Sequence, residues 1–191
     1  TYGAKIIEAP DDDFVGAIAM RDQYLKANEN AWSPMQFSNQ ENVQCHRIQT
    51  APEIHKQVIG ENHIWSAFIH GAGTGGTMEG IRRYKELHNL KTKLCLVQPA
   101  ESPHGIQGIS DGKDFLFNSE NADNIILIKT QDAINRAKRF AKETGILVGI
   151  SSGANILASE RYVENRVMSG IVVTMLCDRG ERYMSIYKQE D

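Results

Sequence analysis

The sequence predicts an α/β fold: a mostly parallel sheet with helices wound on both sides. Three observations predict it. Apolar runs of strand length alternate with segments whose apolar residues recur at helical spacing. The run Ile171-Val172-Val173-Thr174-Met175-Leu176 is apolar without alternation, as suits a strand covered on both faces. Residues 71–77, Gly-Ala-Gly-Thr-Gly-Gly-Thr, lie between a strand-like run (Ile64 to Ile69) and a segment with Ile81, Tyr84 and Leu87 at helical spacing. A parallel strand turns into its crossover helix in this way.

The elements follow in order. Lys5 to Glu8 predicts a short strand ending at Pro10. Asp11, Asp12 and Asp13 suit the cap and first turn of a helix whose stripe is Phe14, Ile18 and Leu25, and Asn28 to Asn30 end it. A second strand is expected near Ser33 to Phe37. Asn39 to Gln49 is polar and reads as a loop. Thr50, with Pro52 in the first turn, opens a helix running to Gly60. The strand, glycine loop and helix come next, then a strand over 93–98 and an irregular stretch from Pro99 to Asn118. Asn124 to Lys129 predicts a strand, followed by a helix capped by Thr130, running to Glu143 and stopped by Gly145. Ile146 to Ile150 reads as a strand, Ser151 to Gly153 as a turn, and Ala154 to about Met168 as a helix. Ile171 to Leu176 is the last strand, and Asp178 to Asp191 a polar tail. There is no internal repeat.

Composition excludes several classes. A chain of 191 residues, 41% hydrophobic and 24% charged, can bury a core as one domain or slightly more. Its net charge of −3, with scattered Lys and Arg, gives no field for nucleic acid. No apolar run approaches membrane-spanning length, and no signal-peptide pattern opens the chain. Cys45, Cys95 and Cys177 are odd in number and far apart, which points to reduced thiols in a cytoplasmic protein. The histidines show no ligand spacing, so no metal is expected.

The glycine stretch carries the chemistry. A strand, a glycine loop and a helix aim several backbone N–H groups and the positive end of a helix dipole at one point. Thr74 and Thr77 add hydroxyls. The guest this suits is a phosphate; the plain alternative is a tight turn with no ligand. Gly71, Gly73 and Gly76 satisfy G-x-G-x-x-G, but the strand that should end in a ribose-binding acid ends in Gln98, with Glu101 late. Dinucleotide binding stays open on weaker ground, and no Lys-Ser/Thr follows as in a Walker loop. Gly149-Ile150-Ser151-Ser152-Gly153 matches a hydrolase elbow, yet the last histidine, His104, precedes Ser151, so the triad order fails. A turn at a strand's carboxyl end that offers hydroxyls and a helix N-terminus to a ligand is the better reading.

Several segments then agree on one family: Tyr-Gly-Ala-Lys-Ile-Ile at 2–7, Gln-Phe-Ser-Asn at 36–39, Pro-Glu-Ile at 52–54 and Gly-Thr-Gly-Gly-Thr at 73–77. Pro-Ala-Glu-Ser-Pro at 99–103, Gly-Ile-Gln-Gly-Ile at 105–109, Gly-Ile-Leu-Val-Gly-Ile-Ser-Ser-Gly-Ala at 145–154 and Asp-Arg-Gly-Glu-Arg-Tyr at 178–183 complete the set. In this order they resemble the C-terminal part of cysteine synthases (O-acetylserine sulfhydrylases). These are fold-type-II pyridoxal-phosphate enzymes, together with cystathionine β-synthase. The resemblance implies a sheet of the tryptophan synthase β-like type with its N-terminal part missing. Residues 1–38 would be a remnant of the smaller domain and 39–191 the C-terminal part of the large domain.

The resemblance also implies roles. Gly73, Thr74, Gly75, Gly76 and Thr77 would hold the phosphate of pyridoxal 5'-phosphate. Ser151 would hydrogen-bond the pyridine nitrogen, and a neutral hydroxyl there leaves that nitrogen unprotonated, a milder electron sink suited to β-replacement. Gln36 resembles a glutamine on the substrate carboxylate, and Gly108 lies in a loop near the substrate amine. Asp178 to Tyr183 would form a wall near the ring. The substrate implied is O-acetylserine or a similar β-substituted serine; the partners implied are a second copy in a homodimer and the tail of serine acetyltransferase. Without the family, Ser151 reads as a helix cap, Gly108 as a plain loop residue and Gln36 as a strand end.

One part of the family pattern is missing. The Schiff-base lysine in a Ser-Val-Lys-Asp-Arg-like motif and the Thr-Ser-Gly-Asn-Thr-Gly-like loop have no counterpart here. No catalytic lysine is assigned, and Lys113 reads as a surface residue. Smaller departures are Asn39-Gln40 for Asn-Pro, Ala51-Pro52-Glu53 for Gly-Pro-Glu, Val97-Gln98-Pro99 for Val-Glu-Pro, and a short connection at His104-Gly105. Two expectations follow: a part of a working cysteine synthase, inactive alone and either poorly stable, oligomeric or complemented by a missing N-terminal piece, or a degenerate relative that binds phosphate ligands or a partner without the chemistry. Asp-Arg-Gly-Glu-Arg-Tyr is similar to a thiosulfate-using branch and Gly-Ile-Gln-Gly to a sulfide-using one, so the nucleophile is undecided between sulfide, thiosulfate and homocysteine.

Overall fold

The computed structural model describes residues 3–9, 14–110, 112–164 and 169–188. The chain divides into two compact units, Thr1–Met35 and Gln36–Asp191.

The first unit is built on one helix, α1 (Phe14–Ala27), with Ile18 and Leu25 half-buried. Asn28 closes it, its Nδ2 donating to the Tyr24 carbonyl at 2.8 Å. The aspartates expected to cap it, Asp11 to Asp13, lie outside the described residues. The strands expected over 5–8 and 33–37 do not form: 3–9 and 31–35 carry no regular structure and Gln36 to Ser38 make a turn. A strand exists only through ladder partners, and Ile6 is 81% exposed. An apolar groove of about 650 Å³ runs along α1 past Met20, Tyr24 and Trp32.

In the second unit, a four-stranded sheet is formed by β1 (Trp65–Gly71), β2 (Lys93–Pro99), β3 (Asn124–Ile128) and β4 (Ile171–Thr174). Their order is β3-β2-β1-β4 and every pair is parallel. Phe68 lies opposite Leu94 on one side and Val173 on the other. Helices α3 (Ala51–Gly60) and α4 (Gly76–Leu87) cover one face, where Phe68, Leu94, Met78 and Ile81 are buried together. Helices α5 (Thr130–Thr144) and α6 (Ile150–Glu164) cover the other, over Ile69, Val97 and Ile128, with Ala154 of α6 buried among them. The doubly covered parallel sheet expected from the apolar strands is what forms. Full burial of each such side chain contributes about 1.5–3 kcal/mol. Arg136 of α5 grips Glu160 of α6 with two nitrogens, Nη2 to Oε1 at 2.7 Å and Nε to Oε2 at 3.0 Å.

Several local readings are corrected. The stretch read as a loop, Asn39 to Gln49, holds a helix, α2 (Gln40–Cys45), and a π-helical turn, His46–Thr50, that runs unbroken into α3. Asn39 caps α2, its side chain accepting from the Glu41 N–H at 3.0 Å. Polar composition hid this helix because its stability is tertiary: Val43 is fully buried, and the segment lies so close to Gly80 of α4 that a Cβ there would meet His46 Cβ at 2.5 Å. Thr50 is therefore inside a helix and starts nothing. Leu87, placed on the buried stripe of α4, is 62% exposed.

Thr130 is the first residue of α5 and does not cap it. Its N–H donates to Glu101 Oε1 at 2.6 Å, and its hydroxyl accepts from the Gly105 N–H at 2.9 Å. Those contacts with Thr130 hold the Glu101 carboxyl below its ordinary value, as expected for an acid at a helix N-terminus. The strand expected over 146–150 reduces to a single antiparallel bridge, Val148 with Arg179. Its neighbour turns at once into a 3₁₀ segment, Gly180–Tyr183, so no ladder can extend. Ser151, Ser152 and Gly153, read as a turn, are the first turn of α6, whose expected extension to Met168 lies outside the described residues. The tail read as polar packs back through Tyr183, Ile186 and Tyr187. Tyr187 belongs to a short α7 (Met184–Tyr187), and its hydroxyl donates to the Val148 carbonyl at 2.7 Å.

Candidate functional site

Topology selects a place for a ligand. The chain winds from β1 through β2 to β3 in one direction, while β4 lies on the other side of β1. The winding therefore reverses between β1 and β4, and ligands of such sheets bind in the crevice beyond the strands' carboxyl ends at that reversal. The glycine loop leaves β1 at this end. Helix α6 also begins here, because its first turn is tied to the chain three residues past β4: the Cys177 N–H donates to Ser152 Oγ at 3.0 Å.

The loop is built as follows. Gly75 is the N-cap of α4 at φ +83°, a left-handed conformation that L side chains rarely adopt. It rests on Phe117, whose backbone nitrogen would be 2.6 Å from a Cβ at Gly75. Gly76, Thr77 and Met78 supply first-turn N–H groups that no intrahelical carbonyl can satisfy. Thr74 Oγ1 accepts from the Gly76 N–H at 3.3 Å and from Asn42 Nδ2 at 3.0 Å. Asn42 Nδ2 also donates to the Gln36 carbonyl at 2.9 Å, so Gln36 is tied by its backbone to the loop. Thr77 Oγ1 lies 3.2 Å from His46 Nε2, and His46 Nδ1 lies 2.9 Å from Thr50 Oγ1. Burial lowers the His46 pKa and favours its neutral form.

A second loop and α6 meet this one. Gly108 has φ +91°, and its carbonyl occupies the space a Cβ on Gly73 would need. On its other side, a Cβ at Gly108 would stand 3.8 Å from Ser151 Oγ. Ser110 holds the register, its N–H donating to the Ala72 carbonyl at 3.0 Å. The structure thus brings Gly73, Gly108 and Ser151 together from three distant segments. Gly75, Gly76 and Thr77 stand in the same loop and helix turn, and Gln36 joins them through Asn42. Cys177 adjoins Ser151 and Asn155; the residue is exposed, yet desolvation of its sulfur pushes the thiol pKa up, so it stays protonated at neutral pH.

Sequence reasoning missed Asn42, His46 and Asn155. Asn155, fully buried on α6, accepts from the Gly71 N–H at 2.9 Å through Oδ1. Its Nδ2 donates to the Met175 carbonyl at 3.0 Å and faces His70 Nδ1 at 3.2 Å. A backbone donor and a backbone acceptor fix which way the amide points, so His70 Nδ1 must accept and Nε2 carries the proton. The one available signal was an asparagine among the apolar and small residues of the first half of α6, four residues after Ser151.

Burial, and to a lesser degree His46, lowers the His70 pKa from 6.5 to about 4. Below the ordinary value the unfolded chain takes up a proton that the native chain refuses until about 4, so stability falls as pH falls through that window. The loss is up to about 3 kcal/mol. The melting temperature of the wild type should therefore drop more steeply between pH 6.5 and 4 than that of His70→Asn, whose amide oxygen can replace Nδ1. Parallel curves would mean that His70 is not held neutral.

The donor set suits an anion. Backbone N–H groups, two threonine hydroxyls and a helix N-terminus converge, and the Gly73 position admits no side chain. Ser151 offers a neutral hydroxyl, 6% exposed, across the crevice. This arrangement fits a phosphate ester whose other end carries a hydrogen-bonding ring. Among the described residues there is no cluster of His, Cys, Asp or Glu able to hold a metal ion. No helix of the described residues is long and apolar enough to cross a membrane.

The pattern of the pyridoxal-phosphate dependent enzymes matches residues 1–178. The chain is 32% identical over 204 aligned positions to a cysteine synthase of Staphylococcus aureus, covering 100% of this chain and 64% of that protein. The chain thus spans less than two thirds of that relative's length. An O-acetylserine dependent cystathionine β-synthase from Helicobacter pylori superposes with a TM-score of 0.84 at 30% identity, over 96% of this chain and 62% of that one. An O-acetylserine sulfhydrylase isoform from Entamoeba histolytica gives 0.80 at 34%, over 97% and 58%. The fold is thus that of the fold-type-II enzymes, and the chain belongs to the pyridoxal-phosphate dependent enzyme family.

Proposed function

We propose that this chain forms the phosphate- and ring-binding part of a cysteine synthase-like enzyme that replaces the β-substituent of O-acetylserine, or a close analogue, with sulfide to give cysteine. The observation that carries this is the meeting of Gly73, Gly108 and Ser151 at the reversal point of the sheet. When bound, pyridoxal phosphate supplies the electron sink for elimination and addition at the β-carbon. The chain's own residues bind and orient the reacting groups. The N–H groups of Gly75 to Thr77 and the hydroxyls of Thr74 and Thr77 hold the phosphate. Ser151 donates to the ring nitrogen without protonating it. The Gly108 loop borders the substrate amine and Gln36 the substrate carboxylate. Asp178, held by the Tyr183 hydroxyl at 2.7 Å, walls the ring side; burial and that contact push the Tyr183 pKa up to about 12.

On this reading residues 1–38 belong to the smaller domain and 39–191 to the large one. The whole enzyme works as a homodimer in the cytoplasm, with serine acetyltransferase as a docking partner. The chain alone binds the cofactor without turning over, because no lysine in it has the neighbours of the family's nucleophile. The test is titration with pyridoxal phosphate followed by absorbance, then borohydride reduction and intact mass. Saturable binding that inorganic phosphate competes away, with no covalent mass gain, is expected. A phosphate-competed mass gain would show that a lysine of this chain reaches the cofactor. No binding would remove the phosphate-loop reading.

A further inference from the structure

The proposed function leaves Asn155 unexplained. A fully buried carboxamide in the middle of a helix is costly unless every polar atom is used, and here both ends are used on backbone. The last paired residues of β1 and β4 are Ile69 and Thr174. If that parallel ladder continued, the Gly71 N–H and the Met175 carbonyl would be joined directly. Instead each binds an opposite end of the Asn155 amide, at 2.9 and 3.0 Å. The side chain stands in place of a rung, so the two strands part at their carboxyl ends by the width of a carboxamide. His70, on the far side, braces the same nitrogen. Ser151 lies four residues earlier on α6, on the same helix face.

We infer that Asn155 is a positioning residue: it splays β1 from β4 and fixes Ser151 at a set distance from the glycine loop, matching the crevice to a ligand with a phosphate at one end and a hydrogen-bonding ring at the other. This rests on the reading of the loop as a phosphate site. It assigns the ligand's length, not its charge, to a residue that touches neither end of it.

The test measures two ligands on the full chain, pyridoxal phosphate and inorganic phosphate, for the wild type and Asn155→Ala. Inorganic phosphate needs only the loop, so its affinity should change by less than about threefold, while pyridoxal phosphate should weaken by about tenfold or more, the equivalent of one lost hydrogen bond. The visible circular dichroism of the bound ring should also be lost. Asn155→Asp guards against a variant that does not fold. Its carboxylate accepts from Gly71 but cannot donate to Met175, so its preference for pyridoxal phosphate over phosphate should return as pH falls and the carboxyl is protonated. A parallel loss of both ligands with a lowered Tm would make Asn155 merely structural and overturn the inference. Unchanged binding of both would overturn it while the phosphate-loop reading stands. A wild type that binds neither ligand would defeat that reading first, and the inference with it.

Discussion

Gly73→Ala should weaken pyridoxal phosphate binding by at least about 100-fold while the chain still folds. A Cβ at this position runs into the Gly108 carbonyl, which is backbone and cannot rotate away. One of the two loops must move. The Gly108 loop is pinned by the Ser110 to Ala72 bond, and Gly75 by Phe117, so the shift falls on the N–H groups that face the phosphate. Losing two charge-assisted hydrogen bonds costs about 3–5 kcal/mol of binding. Overpacking itself costs about 1–3 kcal/mol of stability, equivalent to several degrees of melting temperature for a chain this long. Calorimetric titration beside a thermal melt separates the two. Wild-type affinity in a folded variant would show that the loop does not hold the phosphate.

Phe117→Ala should cost about 3–5 kcal/mol of stability, lowering the melting temperature by about 10 °C. Phe117 is 2% exposed and packs in the cluster that holds Leu94, Leu96 and Met78. Truncation leaves a cavity that its rigid strand neighbours cannot fill. The same side chain supports the left-handed Gly75, with Phe117 Cβ 2.8 Å from where a Cβ at Gly75 would stand. The variant should therefore bind pyridoxal phosphate more weakly even below its melting range. Urea unfolding at 25 °C checks the first effect; a loss below about 1 kcal/mol would mean the site collapses and refills.

Where the sequence was legible, a local pattern and the tertiary demand pointed the same way. Trp65 to Leu87 changes from an apolar strand run to helical spacing across four glycines, and only a strand-loop-helix satisfies that. The parallel sheet followed from β-branched runs such as Ile171 to Thr174. Where reading failed, the stabilising partner lay far off in the chain. Val43 is the one buried side chain of α2, and the helix is held there by contact with α4. The run Ile146 to Ile150 has the composition of a strand but pairs through one bridge, Val148 with Arg179, too short to make a ladder. In the candidate site, the glycines and Ser151 are visible because their chemistry is local. Asn155 is not, because its partner Gly71 is 84 residues away and an asparagine in isolation says nothing about which backbone groups it will join.

The π-helical turn at His46–Thr50 has a consequence for the phase of the long helical segment from Gln40 to Gly60. Val43 and Ala51, both fully buried, are eight residues apart. At about 100° per residue an unbroken α-helix would set them about 80° out of step. The π turn takes up one extra residue, so the separation behaves as about seven, and both buried side chains come round to nearly the same side of the helix. It also widens the backbone just before Pro52, whose ring would otherwise press on the carbonyl of Ile48. Chain length and buried face are thereby uncoupled at this point. A helix of this kind can gain or lose a residue by exchanging one turn type for the other, where a uniform helix would have to rotate its whole apolar side into water.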